Sequence, residues 1–492
     1  MSRSQQLEFV DFYLPFGGQL SAENRWVKLA EMVPWELVEE CYEQALSDSG
    51  MGARLLPGRV AFGALIIKER LGVTDEETVE QILENPYLQC FLGYRELLQR
   101  PPFDPSMMVH FRSRFAQSDY DAINAQIISG LAPAKEGSEA EDGDPPQAPE
   151  ESAPSGKLLI DATVTPADIT YPTDLKLLNQ TREKLEHLID LLHQRKSSPG
   201  KKPRTYRRKA RQDFLAIVKQ KRPGARKIRR AIGQQLRYVR RDLGHIEKLL
   251  QVGARLSSLQ AYGYRCLLVA HEIYRQQEEM WREKKHRIAD RIVSLSQPWV
   301  RPVVRGKASA KVEFGAKLSV SVSGGYASLH RLSWDAYHEG GDLVGHVESY
   351  RQQYGHYPES VHADQIYRTR ANRKWCRERG IRLSGPPLGR PRRPTEENAV
   401  ELAAAKAQAR QDERDRIPVE GKFGNAKRGG SLARVMAKLM HTSVSVINVG
   451  LIVLNLNTRL RELLLALMKR LLEVCRRHLG LDWLTKPTAV AS

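Results

Sequence analysis

The 492-residue sequence predicts an α/β fold whose strands are interrupted by a long helical segment and preceded by a separate helical region. Three observations lead to this prediction. Short apolar runs typical of buried strands end at Asp161 and at Asp364. Between them, residues 175–297 carry apolar side chains at helical spacing. Before the first strand, residues 132–156 are almost wholly Pro, Gly, Ser, Ala and acids, which predicts a disordered acidic linker.

Residues 1–131 are expected to form an all-α domain. The segment VAFGALIIKERL has one apolar face, and Thr74 with the carboxylates after it caps the next helix. Asn85-Pro86 ends that helix, and the segment DPS at 104–106 starts another. Short capped helices suit a helix-turn-helix domain that binds DNA ends. They suit equally a helical bundle that only packs or dimerises, and both interpretations remain open.

The composition restricts the partners of the chain. Its 77 Lys and Arg against 58 Asp and Glu give a formal net charge of +19, which favours a polyanion such as nucleic acid or a membrane surface. The longest apolar run, VSVINVGLIVLNL, is short and broken by asparagines, so it predicts a buried helix and no membrane span. The first residues lack the pattern of a signal peptide. The five cysteines lack metal-site spacing and indicate reduced thiols, so we expect a cytoplasmic, nucleoid-associated protein.

Residues 175–297 are predicted to form a basic helical insertion with a coiled-coil seam. The seam alternates steps of four and three through apolar positions of one helix: Ile232, Leu236, Val239, Leu243, Ile246 and Leu250. Leucines at 178, 185, 188 and 192 give a partner helix. We expect an antiparallel hairpin or a small bundle, which is either intramolecular or the contact of a homodimer.

One part of this insertion is extremely basic. Between Arg195 and Arg241 there are nineteen Lys or Arg and a single acid, Asp213. Charge runs are commonly only solvated surfaces, but this imbalance favours a surface that contacts DNA phosphates. Its candidate DNA-binding residues are Arg207, Arg208, Lys209 and Arg211.

The order of elements on either side of the insertion predicts the core. Residues 157–174 hold the first strand, and residues 298–442 hold a β-hairpin, a helix, the strand that ends at Asp364, a second helix, a short strand and a helix that begins near Glu420. This is the order of a ribonuclease H-like core, in which the first strand and the strand after the first helix lie side by side. Residues 443–492 are predicted to be C-terminal helices.

Asp161, Asp364 and Glu420 are the candidate catalytic and metal-binding residues. Carboxylates at the ends of adjacent strands, with a third on a facing helix, can hold two Mg²⁺ ions about 4 Å apart, and Mn²⁺ is expected to substitute. Taken alone, each aspartate is as well explained as a turn residue or a helix cap, and Asp168, Asp174, Glu313 and Asp335 are rivals. The joint placement of the three acids favours metal-dependent cleavage of phosphodiesters.

Basic residues accompany Glu420 on its predicted helix. Arg416 lies one turn before it and Lys427 two turns after it, so both are expected to face the same phosphate. Lys422 and Arg428 are expected to add to this DNA-binding surface. His362, two residues before Asp364, is expected to point to the same side of its strand in a polar packing role. No organic cofactor is predicted.

Three segments resemble the acidic motifs of bacterial insertion-sequence transposases with a DDE domain, and most closely the group named after insertion sequence five. They are LLIDATVTPADITYPTDLKLLN, HADQIYRTRANRKWCRERGIRLSGP and RIPVEGKFGNAKR, and residues 56–115 resemble the small helical domain found there. A related motif is Tyr, two residues, Arg, three residues, Glu, six residues, Lys. Arg416, Glu420 and Lys427 fit that spacing, whereas Glu413 stands at the Tyr position. The helical insertion also lies earlier in the chain than in some related transposases.

The resemblance implies a two-metal DDE transposase. Such an enzyme binds the terminal inverted repeats of its own mobile element and a target duplex, and it cleaves and transfers DNA strands as a homodimer or higher assembly. Two alternatives remain open. One is a ribonuclease H-like nuclease for repair or for DNA junctions, which would not require two bound ends. The other is a non-catalytic DNA-binding protein whose acids are structural.

Overall fold

The computed structural model contains a six-stranded mixed sheet with many helices, in agreement with the predicted α/β class and with a helical N-terminal region. It describes residues 19–45, 55–130, 154–194, 200–304, 312–386, 389, 395, 398–428 and 430–478. The predicted linker at 132–156 lies outside the described residues except at 154–156.

Short capped helices make up the part of the chain before the sheet. They are α1 (Arg25–Met32), α2 (Trp35–Gln44), α3 (Gly58–Leu71), α4 (Asp75–Glu84), α5 (Pro86–Phe91), α6 (Met107–Ser113) and α7 (Gln117–Ser129). The predicted cap of α4 is confirmed, because the Thr74 side chain accepts a hydrogen bond from the backbone N–H of Glu77. Asn85 ends α4 and caps α5, which begins with Pro86.

Helices of the insertion pack on one another. They are α8 (Asp174–Gln194), α9 (Arg207–Val218), α10 (Ala225–Gln251) and α11 (Ala261–Glu283). The predicted seam lies on α10, where Leu236, Val239 and Ile246 are buried in a core shared with α8 and α11. The seam is therefore covered by α8 and α11 of the same chain, so its buried residues are not available for contact with a second copy.

The sheet is built around its first strand. The strands are β1 (Lys157–Pro166), β2 (Pro302–Val304), β3 (Val312–Ser323), β4 (Tyr326–Ser333), β5 (Ser360–Ala363) and β6 (Arg382–Leu383). β1 pairs antiparallel with β3 and parallel with β5, which in turn pairs parallel with β6. Both β2 and β4 pair antiparallel with β3. The predicted hairpin is thus β3–β4, whereas β2 is too short to give a sequence signal.

Four helices follow in the second half of the core, and two differ from the prediction. They are α12 (Leu343–Tyr354), α13 (Arg370–Glu378), α14 (Ala399–Arg428) and α15 (Met440–His478). Glu420 was expected near the start of a helix, but α14 begins at Ala399 because the segment AVELAAAKAQAR is rich in strong helix formers. Pro418 consequently lies inside the helix. The C-terminal helices are, as far as the chain is described, the single helix α15.

The N-terminal half of α15 belongs to two hydrophobic cores. Its side chains at Val449, Ile452, Val453, Leu456 and Leu460 are buried among the N-terminal helices, and neighbouring apolar side chains of α15 pack under the sheet. By length and composition α15 is also apolar enough to cross a membrane, but two thirds (67%) of its apolar window is buried inside the protein. Core packing accounts for that apolar character.

Hydrogen bonds reinforce this junction. The Tyr120 hydroxyl donates to the Ser445 hydroxyl at 2.6 Å, and the Arg459 guanidinium donates to the carbonyl oxygen of Ile127 at 3.1 Å. The N-terminal helices are therefore bound to α15 through both apolar and polar contacts. The sequence predicted a separate helical region before the sheet, and these contacts argue against two parts that fold independently.

Removal of residues 1–131 should destabilise the rest of the chain. It exposes five apolar side chains of α15, each worth roughly 1.5–3 kcal/mol of burial, a sum comparable to the stability of about 5–15 kcal/mol of a whole domain. We expect circular dichroism to show loss of cooperative unfolding and light scattering to show aggregation. Deletion of residues 135–150 alone is the control, expected to leave the melting temperature unchanged. A monomeric truncated chain with unchanged melting temperature would contradict the shared core.

Candidate active site

Asp161 and Asp364 are neighbours because of the register between β1 and β5. The parallel pairing places Ile160 opposite Ala363. Asp364 directly follows its strand as predicted, but Asp161 is the fifth of the ten residues of β1, so the prediction that it ends its strand is wrong. Neighbouring strands run about 4.8 Å apart. β5 ends at Ala363, and Asp364 accepts a hydrogen bond from the backbone N–H of Gln365 at 2.7 Å. At this edge of the β1–β5 pairing, the Asp364 side chain is 56% exposed, whereas Asp161 is only partly exposed.

Helix α14 passes over this edge and carries Glu420. Before Glu420, the guanidinium of Arg416 lies 3.5 Å from the Asp364 carboxylate. After it, the ammonium of Lys427 donates to the carbonyl oxygen of Val164 in β1 at 2.8 Å. At about 100° per residue, the side chains of Arg416, Glu420 and Lys427 project within roughly 40° of one another. The exposed Glu420 therefore lies on the helix face that meets the strands of both aspartates.

The floor of the site contains a half-buried acid and a buried tyrosine. Asp161 is half-buried and accepts a hydrogen bond from the backbone N–H of Ala162 at 2.8 Å. Tyr367 is fully buried nearby. Burial raises the pKa of Tyr367 above its ordinary value, and the charges of Glu339 and Asp161 raise it further. Its hydroxyl group therefore stays protonated beside Asp161.

A second arginine, Arg368, was missed by the sequence analysis. Its guanidinium donates to the carbonyl oxygen of Ala363, the residue before Asp364, at 2.9 Å. The same group occupies the space that a Cβ on Gly385 would need, since that atom would meet it at 2.1 Å. Gly385 also has a φ of +103°, which favours glycine. Burial lowers the pKa of Arg368, as does the nearby charge of Arg416.

Lys422 was expected to add to the DNA-binding surface beside the three acids, but it lies away from them. It projects roughly 160° from Glu420 around the helix, and its ammonium donates to the hydroxyl of Thr458 on α15. Burial, together with the charge of Arg461, lowers the pKa of Lys422 to about 8. It lines a cavity of about 320 Å³ between α14 and α15. Arg428 is exposed at the end of α14.

The four basic candidates of the insertion differ in their surroundings. Arg207 donates to both carboxylate oxygens of Asp190, at 2.9 and 3.1 Å, and so helps to attach α9 to α8. Arg208, Lys209 and Arg211 are exposed on α9. Arg207 therefore has a packing role that its three neighbours lack.

The rival acids lie in other surroundings. Asp168 pairs with Arg434 at 2.6 Å and with Lys438, and these cations hold the pKa of Asp168 below its ordinary value. Asp174 pairs with Arg291. Asp335, 72% exposed, lies 3.6 Å from Arg301. Glu313 lies in β3 opposite Val303 of β2. Ion pairs with neighbouring cations explain Asp168, Asp174 and Asp335 without a catalytic role, and Glu313 belongs to the pairing of β3 with β2.

A second group of titratable side chains lies beside the site. The ligand atoms of His362, Asp412 and Asp415 are all within 4.8 Å of one another. His362 is fully buried, and its Nε2 atom lies 3.0 Å from the Ser360 hydroxyl, as suits the expected packing role. Its two partners were not identified from the sequence. The sequence did hold a signal for these two partners, Asp412 and Asp415, because both lie one to two helical turns before Glu420 on α14.

The donor set around Asp161 and Asp364 suits hard divalent cations. All three candidate ligands are carboxylates, which Mg²⁺ and Mn²⁺ prefer. The nearest cation to Asp364, the Arg416 guanidinium, stands at 3.5 Å, which is longer than a strong charge-assisted hydrogen bond. The Asp364 carboxylate can therefore exchange this partner for a metal ion.

Comparisons with protein-family models match two segments of the chain, one in the sheet-containing part and one among the N-terminal helices. A family model described as a transposase DDE domain matches residues 361–457, which include Asp364, Arg416, Glu420 and Lys427. A second model, a transposase domain (DUF772), matches residues 15–114.

A search of known proteins found one relative of part of the chain. The uncharacterized protein ORF8 in the nfe locus of Rhizobium meliloti is 28% identical over 152 residues, which are 31% of this chain and 66% of that protein. The chain thus spans slightly less than two thirds of that relative's length. No solved structure matches the chain. Two separate segments of the chain, residues 15–114 and 361–457, are therefore similar to transposase domains.

Proposed function

We propose that the protein binds the ends of its own mobile element and catalyses metal-dependent cleavage and transfer of DNA strands. The observation that carries this proposal is the register of β1 with β5, which makes Asp161 and Asp364 neighbours beneath the Glu420 face of α14. The match of a transposase DDE domain across Asp364 and Glu420 supports it.

The strand order supports a ribonuclease H-like core. A hairpin on one side of β1 and two parallel strands on the other give the order β4–β3–β1–β5–β6. Only β3 runs antiparallel to β1 among its two neighbours. The insertion between β1 and β2 leaves this order intact, because it leaves the sheet after β1 and returns at its edge.

We assign a separate role to each group of residues in the proposed site. Asp161, Asp364 and Glu420 would hold two divalent ions, Mg²⁺ or in its place Mn²⁺. When bound, such ions activate the attacking oxygen and stabilise the leaving oxygen of a phosphodiester. Arg416 would orient the phosphate, since a guanidinium binds phosphate in a bidentate manner. Lys427, anchored on Val164, would hold the helix at its distance from β1.

The charge distribution favours the insertion as the main DNA contact. Residues 175–297 contain 31 Lys or Arg and 11 Asp or Glu, a formal charge of +20. Residues 1–131 contain 11 Lys or Arg and 19 Asp or Glu, a formal charge of −8. Phosphate contacts require cations. We therefore propose that the N-terminal helices act mainly through packing, and that any selection of element ends by them uses few phosphate contacts.

The same function implies an assembly and a compartment. Joining two element ends to a target duplex requires both ends to be held together, which favours a homodimer or a higher assembly. A protein that acts on chromosomal DNA in a bacterium would lie in the cytoplasm, at the nucleoid.

Asp364→Asn and Glu420→Gln should abolish strand cleavage while DNA binding persists. An amide is a neutral and poorer ligand for Mg²⁺ than a carboxylate. The loss should be well above the roughly 100-fold typical of losing one general acid or base. The assay is cleavage of a labelled duplex that ends in the element's own terminus, with Mg²⁺, with Mn²⁺ and with chelator.

The matched control for this experiment is Asp335→Asn, which removes an exposed aspartate two residues after the end of β4. It should cleave at the wild-type rate. Full activity of Asp364→Asn, with correct folding verified by circular dichroism, would contradict the proposed mechanism.

Reversing Arg208, Lys209 and Arg211 together to Glu should weaken binding to every duplex regardless of sequence. Each lost phosphate contact lowers the salt slope by about 0.9, so three should lower it by nearly 3. Arg207 is left unchanged because it pairs with Asp190. The measurement is fluorescence anisotropy over a range of salt concentrations. Reversal of the exposed Arg95 and Arg100 in the acidic N-terminal region is the control and should leave the slope unchanged. An unchanged slope in the triple variant would mean that α9 is only a solvated surface.

A further inference from the structure

Ion pairs from three strands converge on the first half of α14. The Lys157 ammonium of β1 lies 2.7 Å from the Asp415 carboxylate. One terminal nitrogen of Arg382 in β6 donates to both oxygens of Asp412, at 2.9 Å each. His362 of β5 lies between them, with its Nδ1 atom 3.8 Å from Asp412 and its Nε2 atom 4.0 Å from Asp415. We refer to these five residues as the helix lock.

The helix lock is partly buried and balanced in charge. Asp412 is 5% exposed and His362 is 0% exposed, whereas the side chains of Lys157 and Arg382 are 53% and 40% exposed. Two carboxylates meet one guanidinium and one ammonium, so their formal charges cancel. Partly exposed ion pairs of this kind add little to stability, because water screens them and desolvation offsets much of their attraction, and their main effect is on the position of the helix.

Pro418 makes such an anchor necessary. A proline has no N–H group, so the carbonyl oxygen of Arg414 loses its helical partner and the two halves of α14 are coupled weakly at this point. The second half is held by buried Val419 and Ala426 and by the Lys427 contact to β1. The first half has few buried apolar side chains, and the helix lock supplies its attachment to the sheet.

We propose that Asp412 and Asp415 are positioning residues that set the place of Glu420 over the two aspartates. Lys157 stands four residues before Asp161 on β1, and His362 stands two residues before Asp364 on β5. β1 and β5, which carry Asp161 and Asp364, therefore contact α14 one to two helical turns before Glu420. The catalytic consequence rests on the proposed function, whereas the contact itself does not.

A metal ion is the competing explanation for the same cluster. One histidine and two aspartates with ligand atoms within 4.8 Å could hold a divalent ion. Such an ion would have to displace Arg382 from both oxygens of Asp412 and Lys157 from Asp415. The existing partners already provide the two positive charges that the ion would bring.

The test combines a neutral variant with a charge exchange. Asp415→Asn should raise the Mg²⁺ concentration needed for half-maximal cleavage by roughly 10- to 100-fold, the usual effect of losing a group that orients a metal ligand, while DNA affinity stays the same. The double variant Lys157→Glu with Asp415→Lys restores the pair with reversed signs and should recover most of the lost Mg²⁺ sensitivity. Glu378→Gln, at an exposed ion pair of α13, is the matched control and should match the wild-type protein.

Hydrogen–deuterium exchange of the full-length protein separates this proposal from the proposed function. Asp415→Asn should increase exchange in residues 412–428 and leave exchange in α12 unchanged, whether or not the protein cleaves DNA. If the wild-type protein does not cleave DNA but Asp415→Asn still increases exchange in residues 412–428, the proposed function is refuted and the helix lock is supported. Unchanged exchange, no rescue by the exchanged pair, or Mn²⁺ located on His362, Asp412 and Asp415 in the wild-type protein would each overturn the lock.

Discussion

Four residues of parallel pairing between β1 and β5 determine the geometry of the candidate site. The pairs run from Lys157 with Ser360 to Ile160 with Ala363, and the two aspartates follow at the next position. A shift by one residue would turn one aspartate to the other face of the sheet, where apolar side chains pack. The buried neighbours Leu158, Ile160 and Val361 fix the register because a slip would expose them. Hydrophobic burial in the strands therefore brings Asp161, in the middle of β1, next to Asp364, which directly follows β5.

The two long helices extend this constraint to the rest of the chain. α14 crosses the strands of both aspartates, held by polar contacts before Pro418 and by apolar packing and Lys427 after it. α15 passes from the core under the sheet into the core of the N-terminal helices. The catalytic part and the N-terminal region consequently share a structural element. The large positive charge resides elsewhere, on the helices of the insertion.

Local patterns predicted much of this arrangement. Apolar runs ending in aspartate located β1 and β5, turn glycines located the hairpin, and alternating steps of three and four located α10. The errors came from properties that depend on helix phase or on distant contacts. Lys422 is near Glu420 in sequence but projects to α15, and the ion pairs of Asp412 and Asp415 involve strands far away in the chain. A helix was predicted to begin near Glu420, yet the strong helix formers before it extend α14 by about five turns.

The central claim is that Asp161, Asp364 and Glu420 form one site for divalent cations. Anomalous diffraction from crystals of the full-length protein soaked in Mn²⁺ tests it most directly, because the signal locates the metal without any assumption about activity. The account predicts an anomalous peak between the Asp161 and Asp364 carboxylates, with Glu420 as a further ligand. A peak at His362, Asp412 and Asp415 instead, with none between Asp161 and Asp364, would contradict it.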